Sequence, residues 1–276
     1  MNINGSTQVI AHIGFPTFTF KSPMIYNPYF EAAGINALVV PFASQSPEYP
    51  DFLHALFGCG NVVGALITMP HKVSTAALVG RLSRTAEIAG ACNAVRRAAD
   101  GTLEGNMFDG EGFVRSARRK GFDPSGKLAL VAGCGGVGSA IAASLAAAGV
   151  AGLRLFDVDA AAAEALAGRL KTHYPQLAVE TGNSNPSDCG WVVNATPLGM
   201  NAGDAMPLDT ARIPSAALVG DVVLQSETAF LNAARGRGCT VLTGTDMLFE
   251  QIPAYLDYFG LPATTAEHLR SVARLA

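Results

Sequence analysis

Two stretches of the chain hold residue types and spacings that could do chemistry. In ITMPHK (67–72) an apolar run with the character of a buried strand stops at Pro70 and sets His71 beside Lys72. A lysine there is either an ordinary solvated turn residue or a group that a closed site, by removing its water, suits to proton transfer. In KLALVAGCGGVGSAIAASLAAAGVAGLRLFDVD (127–159) an apolar strand runs to Gly133, and a turn containing Gly133, Gly135, Gly136 and Gly138 follows. A helix of small residues comes next, then a second apolar strand ending at Asp157.

Glycines allow a tight turn and let backbone N–H groups approach a pyrophosphate at a helix N-terminus, where the dipole favours negative charge. An acid about 20 residues further on can accept hydrogen bonds from the adenosine ribose hydroxyls. A glycine trio alone would be only a tight turn. Strand, turn, helix, second strand and acid in one run predict dinucleotide binding. Asp157 would repel a 2′-phosphate, and Val158 and Asp159 follow it rather than an arginine, so NAD is expected in preference to NADP. Asp159 suits the N-cap of a helix beginning near Ala160.

The elements that must position these residues follow from alternation. Short β-branched runs (QVIAHIG, ALVVPF, ALITM, LALVAG, LRLFD, WVVNAT, ALVGDVV, TVLTG) alternate with Ala- and Leu-rich stretches of helical length, the pattern of βαβ units and a parallel sheet. No fixed-period repeat or low-complexity linker is visible, and the weak breaks lie near Gly110 and Gly244.

With 276 residues, 49% hydrophobic and 15% charged, the chain can bury a large core. A net charge of -3 gives no electrostatic footprint for nucleic acid or anionic lipid. Its five cysteines are scattered without zinc-site or disulfide spacing, so reduced thiols and a cytoplasmic location are expected, with no metal. No leader pattern and no run of roughly 20 apolar residues is seen, which predicts a soluble protein. Nothing marks an interface, although a homodimer is compatible with the composition.

Taken in order, KSP (21–23), ITMPHK, GACNAV (90–95), GNMFDG (105–110), GCGGVG (133–138), NATPLGM (194–200) and DMLFEQ (246–251) resemble the motifs of the shikimate/quinate dehydrogenase family. The resemblance runs from about Val9 to Gln251. It implies two α/β domains with an active site in the cleft between them. Residues 1–109 plus 246–276 would form the smaller substrate domain, and 110–245 a Rossmann-type doubly wound dinucleotide domain. It also implies hydride transfer between a nicotinamide ring and a ring alcohol of a cyclic carboxylic acid.

On this resemblance Lys72 and Asp109 are the proton-transfer pair. Lost solvation disfavours the charged form of such a lysine while a nearby carboxylate favours it, so the proton is assigned to the pair. Ser22, Thr68, Asn93 and Gln251 match substrate-binding positions. Gly133, Cys134, Gly135, Gly136, Val137, Asp157, Asn194, Thr196, Gly244 and Met247 are the expected cofactor-binding residues. His71 is expected to be an exposed or locally bonded turn residue.

The departures matter as much as the matches. Phe20 replaces the first serine of the family's Ser-x-Ser-Pro, Leu66 an asparagine, Phe108 a threonine and Leu224 a tyrosine. Apolar residues at these positions leave fewer partners for a carboxylate and ring hydroxyls. Three functions are therefore expected to compete: a dehydrogenase for shikimate, quinate or a less polar cyclic alcohol; an ordinary shikimate dehydrogenase of aromatic biosynthesis; and a dinucleotide-binding regulator without turnover. Retention of Lys72, Asp109, Asn93 and Gln251 speaks against the last.

Overall fold

The computed structural model describes residues 3–225 and 227–275, and the chain divides into two compact α/β units. The first comprises the residues up to Ala86, Gly90–Met107 and the residues from Ile252 onward; the second comprises Glu87–Ala89 and Phe108–Gln251.

In the first part of the chain lie β1 (Gln8–Gly14), α1 (Pro23–Ala33), β2 (Ala37–Ala43), α2 (Tyr49–Leu56), β3 (Val62–Ile67), α3 (Lys72–Ala76), β4 (Arg81–Leu82), α4 (Arg84–Ala89), β5 (Ala94–Arg97) and β6 (Leu103–Asn106). The sheet order is β2-β1-β3-β5-β6-β4. The β1 strand is an interior one, paired in parallel with β2 and β3, and Ile10, Ala11 and Ile13 are fully buried on both of its faces. Burial on both faces explains its near-continuous apolar sequence.

The strand alternation predicts a parallel sheet, and this sheet is mixed. β5 runs antiparallel to both β3 and β6. The β5–β6 hairpin (AVRR, LEGN) carries little apolar alternation because cross-strand charge supports it: Arg96 faces Glu104 in register and their side chains meet at 2.9 Å.

The second sheet is built from β7 (Leu128–Ala132), β8 (Gly152–Phe156), β9 (Ala178–Thr181), β10 (Trp191–Asn194), β11 (Leu218–Asp221) and β12 (Thr240–Leu242). Its helices are α5 (Asp109–Arg119), α6 (Gly136–Ala147), α7 (Ala160–His173) and α8 (Ala229–Gly236); α9 (Gly244–Tyr258) and α10 (Ala266–Val272) close the chain. The order β12-β11-β10-β7-β8-β9 is doubly wound: the chain starts at the centre, winds outward through β8 and β9, and returns to β10. All its pairings are parallel.

The small residues of α6 have a packing reason. A Cβ on Gly110 would lie 2.0 Å from the Ala140 carbonyl oxygen, so α5 and α6 meet nearly backbone to backbone. Around them Phe113, Ile141, Leu145, Leu155, Leu166, Trp191 and Leu218 form the core of this unit. Among the described residues no helix is long and apolar enough to cross a membrane.

Candidate active site

In the first unit, β3 delivers the chain into the ITMPHK turn. Thr68 N donates to Ile13 O at 3.0 Å, which ties the strand end to β1, and His71 N donates to Thr68 O at 2.9 Å, which closes the turn. Lys72 is then the first residue of α3, half-buried. Its carbonyl accepts the Cys92 N–H at 2.9 Å, while Asn93 O accepts from Ile67 N at 2.8 Å and Asn93 N donates to Asn106 O at 2.9 Å. Main-chain bonds thus hold Thr68, Lys72 and the buried Asn93 in one neighbourhood. Ser22 stands at the N-cap of α1, and its hydroxyl makes no capping bond.

His71 is buried, not exposed. Its Nε2 lies 2.8 Å from Ser44 O, its ring stacks flat on Tyr49 at 3.8 Å between centroids, and its carbonyl accepts from Thr75 Oγ1 at 2.6 Å. These contacts make it a brace for the turn that carries Lys72. No group of His, Cys, Asp and Glu suited to a metal occurs among the described residues.

His12 lies outside the motifs named above. It lies in β1, paired in register with Leu66, and its ring stacks on Phe20 with centroids 3.9 Å apart. Its Nδ1 is buried with no hydrogen-bond partner among the described residues. Burial first, and then the positive charge of Lys72, push its pKa down to about 3, so the imidazole is neutral. The available signal was a lone polar residue inside the apolar run VIAHIG.

In the second unit the glycine-rich turn follows β7 at the point where the strand order reverses, the place where doubly wound sheets bind ligands. Three of its glycines differ in what surrounds them. Gly133 has φ +93°, and a Cβ on it would lie 2.7 Å from the Ala195 carbonyl. A Cβ on Gly138 would lie 1.8 Å from Gly133 O, so helix and turn pack without room for a methyl group. Gly135 meets nothing within 4 Å. It is the N-cap of α6 and offers no side-chain cap, which leaves the first N–H groups of a twelve-residue helix without a capping side chain. Open backbone and an uncapped helix end fit a dinucleotide pyrophosphate, with Gly135, Gly136 and Val137 as the backbone that would hold it.

Asp157, at the end of β8, behaves differently from the expectation. Its Oδ2 accepts the Cys134 N–H at 2.7 Å and its Oδ1 the Asp159 N–H at 2.9 Å. Cys134 is buried, and burial together with the Asp157 charge pushes its thiol up to about 12. Asp159 caps α7 by accepting from Ala161 N at 3.0 Å.

On the other side of the switch point, Asn194 is fully buried and saturated. Its Nδ2 donates to Leu198 O at 2.9 Å and to Asp221 Oδ1 at 3.1 Å, and its Oδ1 accepts from Thr196 N and Oγ1 at 3.1 and 2.7 Å. It fixes the loop after β10, in which Thr196 lies. Asp221 also accepts from Thr228 Oγ1 at 2.8 Å, and its burial raises its pKa. Gly244 begins α9 against the loop after β11, where a Cβ would lie 2.6 Å from Val222 O and Val223 O. Met247 is buried in the apolar core of the unit.

Asp109 is the buried first residue of α5, preceded by the buried Phe108. One turn on, a Cβ on Gly112 would lie 2.7 Å from Gln251 Cβ, so this glycine lets α9 set Gln251 against the start of α5. Gln251 is buried, and its Oε1 has no hydrogen-bond partner among the described residues. Of the expected site residues, then, Ser22, Thr68, Lys72 and Asn93 belong to the first unit, and Asp109, Gln251 and the cofactor positions to the second.

A doubly wound sheet with an open glycine turn at its switch point, in a chain whose other unit presents a lysine at the end of a parallel strand, defines a two-domain dinucleotide-dependent oxidoreductase. The shikimate dehydrogenase substrate binding domain matches residues 13–95. The shikimate dehydrogenase (NADP(+)) of Rubrobacter xylanophilus is 37% identical over 254 residues, covering 90% of this chain and 89% of its own length. Shikimate 5-dehydrogenase of Listeria monocytogenes, solved in complex with shikimate and NAD, superposes with a TM-score of 0.91 at 24% identity, covering 99% of this chain and 98% of that one. The 5-ketofructose reductase of a Gluconobacter strain gives 0.87 at 25% identity, covering 98% and 100%. The chain belongs to the shikimate/quinate dehydrogenase family, whose members are oxidoreductases acting on CH–OH donors.

These relatives correct the expected preference for NAD. Further curated relatives at 31–34% identity carry the same NADP(+) naming, which points to NADP. A carboxylate facing the ribose would repel a 2′-phosphate, whereas both Asp157 oxygens are engaged by backbone N–H groups of the turns it joins.

Proposed function

We propose that this chain interconverts a ring alcohol and its ketone on shikimate, quinate or a related cyclic compound, by hydride exchange with a nicotinamide dinucleotide, NADP in the names of its curated relatives. The observation that carries the reading is the Lys72 turn, which main-chain bonds from β1 and from Cys92–Asn93 hold in place. When bound, the dinucleotide supplies the hydride acceptor.

The alcohol proton is the chain's own task. As hydride leaves carbon, the O–H proton must pass to a base within hydrogen-bond reach, and Lys72 with Asp109 is assigned that step. Asn93, Thr68, Ser22 and Gln251 are assigned to orient the substrate. The buried Gln251 Oε1 offers a hydroxyl an acceptor that no described residue occupies. Gly135 to Val137 are assigned to the pyrophosphate, on the open backbone and uncapped helix end described above.

The test is formation of reduced dinucleotide by the purified chain with shikimate or quinate, NADP and NAD being run in parallel. Saturable turnover with either compound supports the reading. Dinucleotide binding without turnover on any cyclic alcohol or ketone sinks it and favours a regulator.

A further inference from the structure

The carboxyl ends of β1 and β3 share one face of the first sheet. His12 is paired in register with Leu66, and Gly14 lies two residues further along the same face. A Cβ on Gly14 would meet Thr68 Cγ2 at 2.5 Å and Phe20 Cζ at 3.1 Å. Phe20 in turn lies on the His12 ring, the two planes inclined by 23°. Phe20 and Leu66, both apolar where the family has polar residues, therefore flank a single imidazole, with Thr68 beyond it.

That imidazole has no role within the fold that accounts for its nitrogen. It is 7% exposed, and Nδ1 has no protein partner among the described residues. Buried polar atoms are nearly always paired, so an orphaned one calls for a ligand or a reason. A half-turn of the ring exchanges Nδ1 with Cδ2 at equal volume, so either edge can present a nitrogen. Lys72, whose charge reaches the ring, is the neighbouring cation.

We propose that the His12 imidazole contacts substrate and sets specificity, by hydrogen-bonding a neutral oxygen, hydroxyl or keto, of a ring polyol. The assignment rests on the dehydrogenase reading above. A carboxylate brought between Phe20 and Leu66 would give up its water against two apolar side chains and an uncharged imidazole, a desolvation that a hydroxyl or ketone largely avoids. The preferred substrate class is thus a cyclic polyol or ketose with a neutral group where shikimate and quinate carry a carboxylate.

The experiment compares kcat/KM for quinate and shikimate with that for their methyl esters, in the oxidative direction, and measures 5-ketofructose in the reductive one. Neutral compounds should exceed the parent acids by about tenfold or more. His12→Leu should cut kcat/KM for the neutral compounds by about 10- to 100-fold, chiefly through KM, with dinucleotide affinity unchanged. His12→Asn, which keeps a donor and an acceptor near Nδ1, should recover part of the loss, a pattern that a packing role would not give.

Preference for the carboxylates, or a His12→Leu effect under about threefold, overturns the assignment while leaving the dehydrogenase reading intact. Should His12→Leu fail to fold, His12→Ala and His12→Phe, which also remove both ring nitrogens, carry the comparison, and a neutral preference retained in both overturns it. Absence of turnover across the panel overturns the dehydrogenase reading instead. Calorimetric binding of the same compounds to wild type and variants then decides for or against His12 by the same criterion.

Discussion

Asp157 Oδ2 accepts the Cys134 N–H at 2.7 Å, so the carboxylate at the end of β8 ties down the glycine-rich turn at the end of β7. The bond crosses two adjacent strands of one sheet and joins the segments that would face a dinucleotide. Removing the carboxylate leaves the Cys134 and Asp159 N–H groups without it. Asp157→Ala is therefore expected to weaken NADP and NAD alike, by about tenfold, as befits a lost charge-assisted bond. Calorimetric titration with both dinucleotides checks this. A selective gain for one of them would mean that the carboxylate faces the ribose after all.

Gly135 and Gly138 are close in sequence and opposite in constraint. A methyl at Gly138 would overlap Gly133 O, an overpacking that costs about 1–3 kcal/mol and lowers the melting temperature of Gly138→Ala by several degrees. A methyl at Gly135 meets open space, so Gly135→Ala should fold within about 0.5 kcal/mol of wild type. It should nevertheless bind dinucleotide at least about tenfold more weakly, because the methyl occupies the approach of the pyrophosphate. Thermal melts and titrations on both variants separate the two effects, and parallel losses in both would refute the assignment of Gly135.

Lys72 is testable through the difference between charge and proton transfer. Lys72→Ala should lower kcat by about 10² or more with dinucleotide affinity nearly unchanged. Lys72→Arg keeps the charge but cannot release a proton, so it should rescue little. Restoration of most of the turnover by arginine would assign the residue an electrostatic role only.

Much of this was legible in the sequence because it depends on local pattern. The run from Lys127 to Asp159 shows strand, glycine turn, helix and acid without reference to the rest of the chain, and Asp159 at the N-cap follows from residue type alone. The β5–β6 hairpin was not legible, since Arg96 and Glu104 support each other only once their register is known. Asp157 misled for the same reason: its type suggested a ribose partner, and only the tertiary bond to Cys134 shows where its oxygens go. His12 was hidden by its setting, a polar residue in a strand that otherwise reads as core, whose stacking on Phe20 joins residues that the sequence separates.

The buried, neutral His12 also predicts how stability depends on pH. Its folded pKa, about 3, lies below the ordinary imidazole value of 6.5, so the unfolded chain takes up a proton that the folded chain refuses. The contribution is complete above about pH 6.5 and is lost as pH falls toward 3, at a slope of no more than about 1.4 kcal/mol per unit. His12→Leu removes this term. It should match or exceed wild type at neutral pH, because Nδ1 has no hydrogen-bond partner among the described residues, and should lose stability less steeply between pH 6 and 4. Urea unfolding of both proteins across that range measures the difference in slope. Equal slopes would show that the ring takes up its proton in the folded state as readily as in water, and the cause would then be a solvated imidazole rather than one enclosed by Phe20 and Leu66.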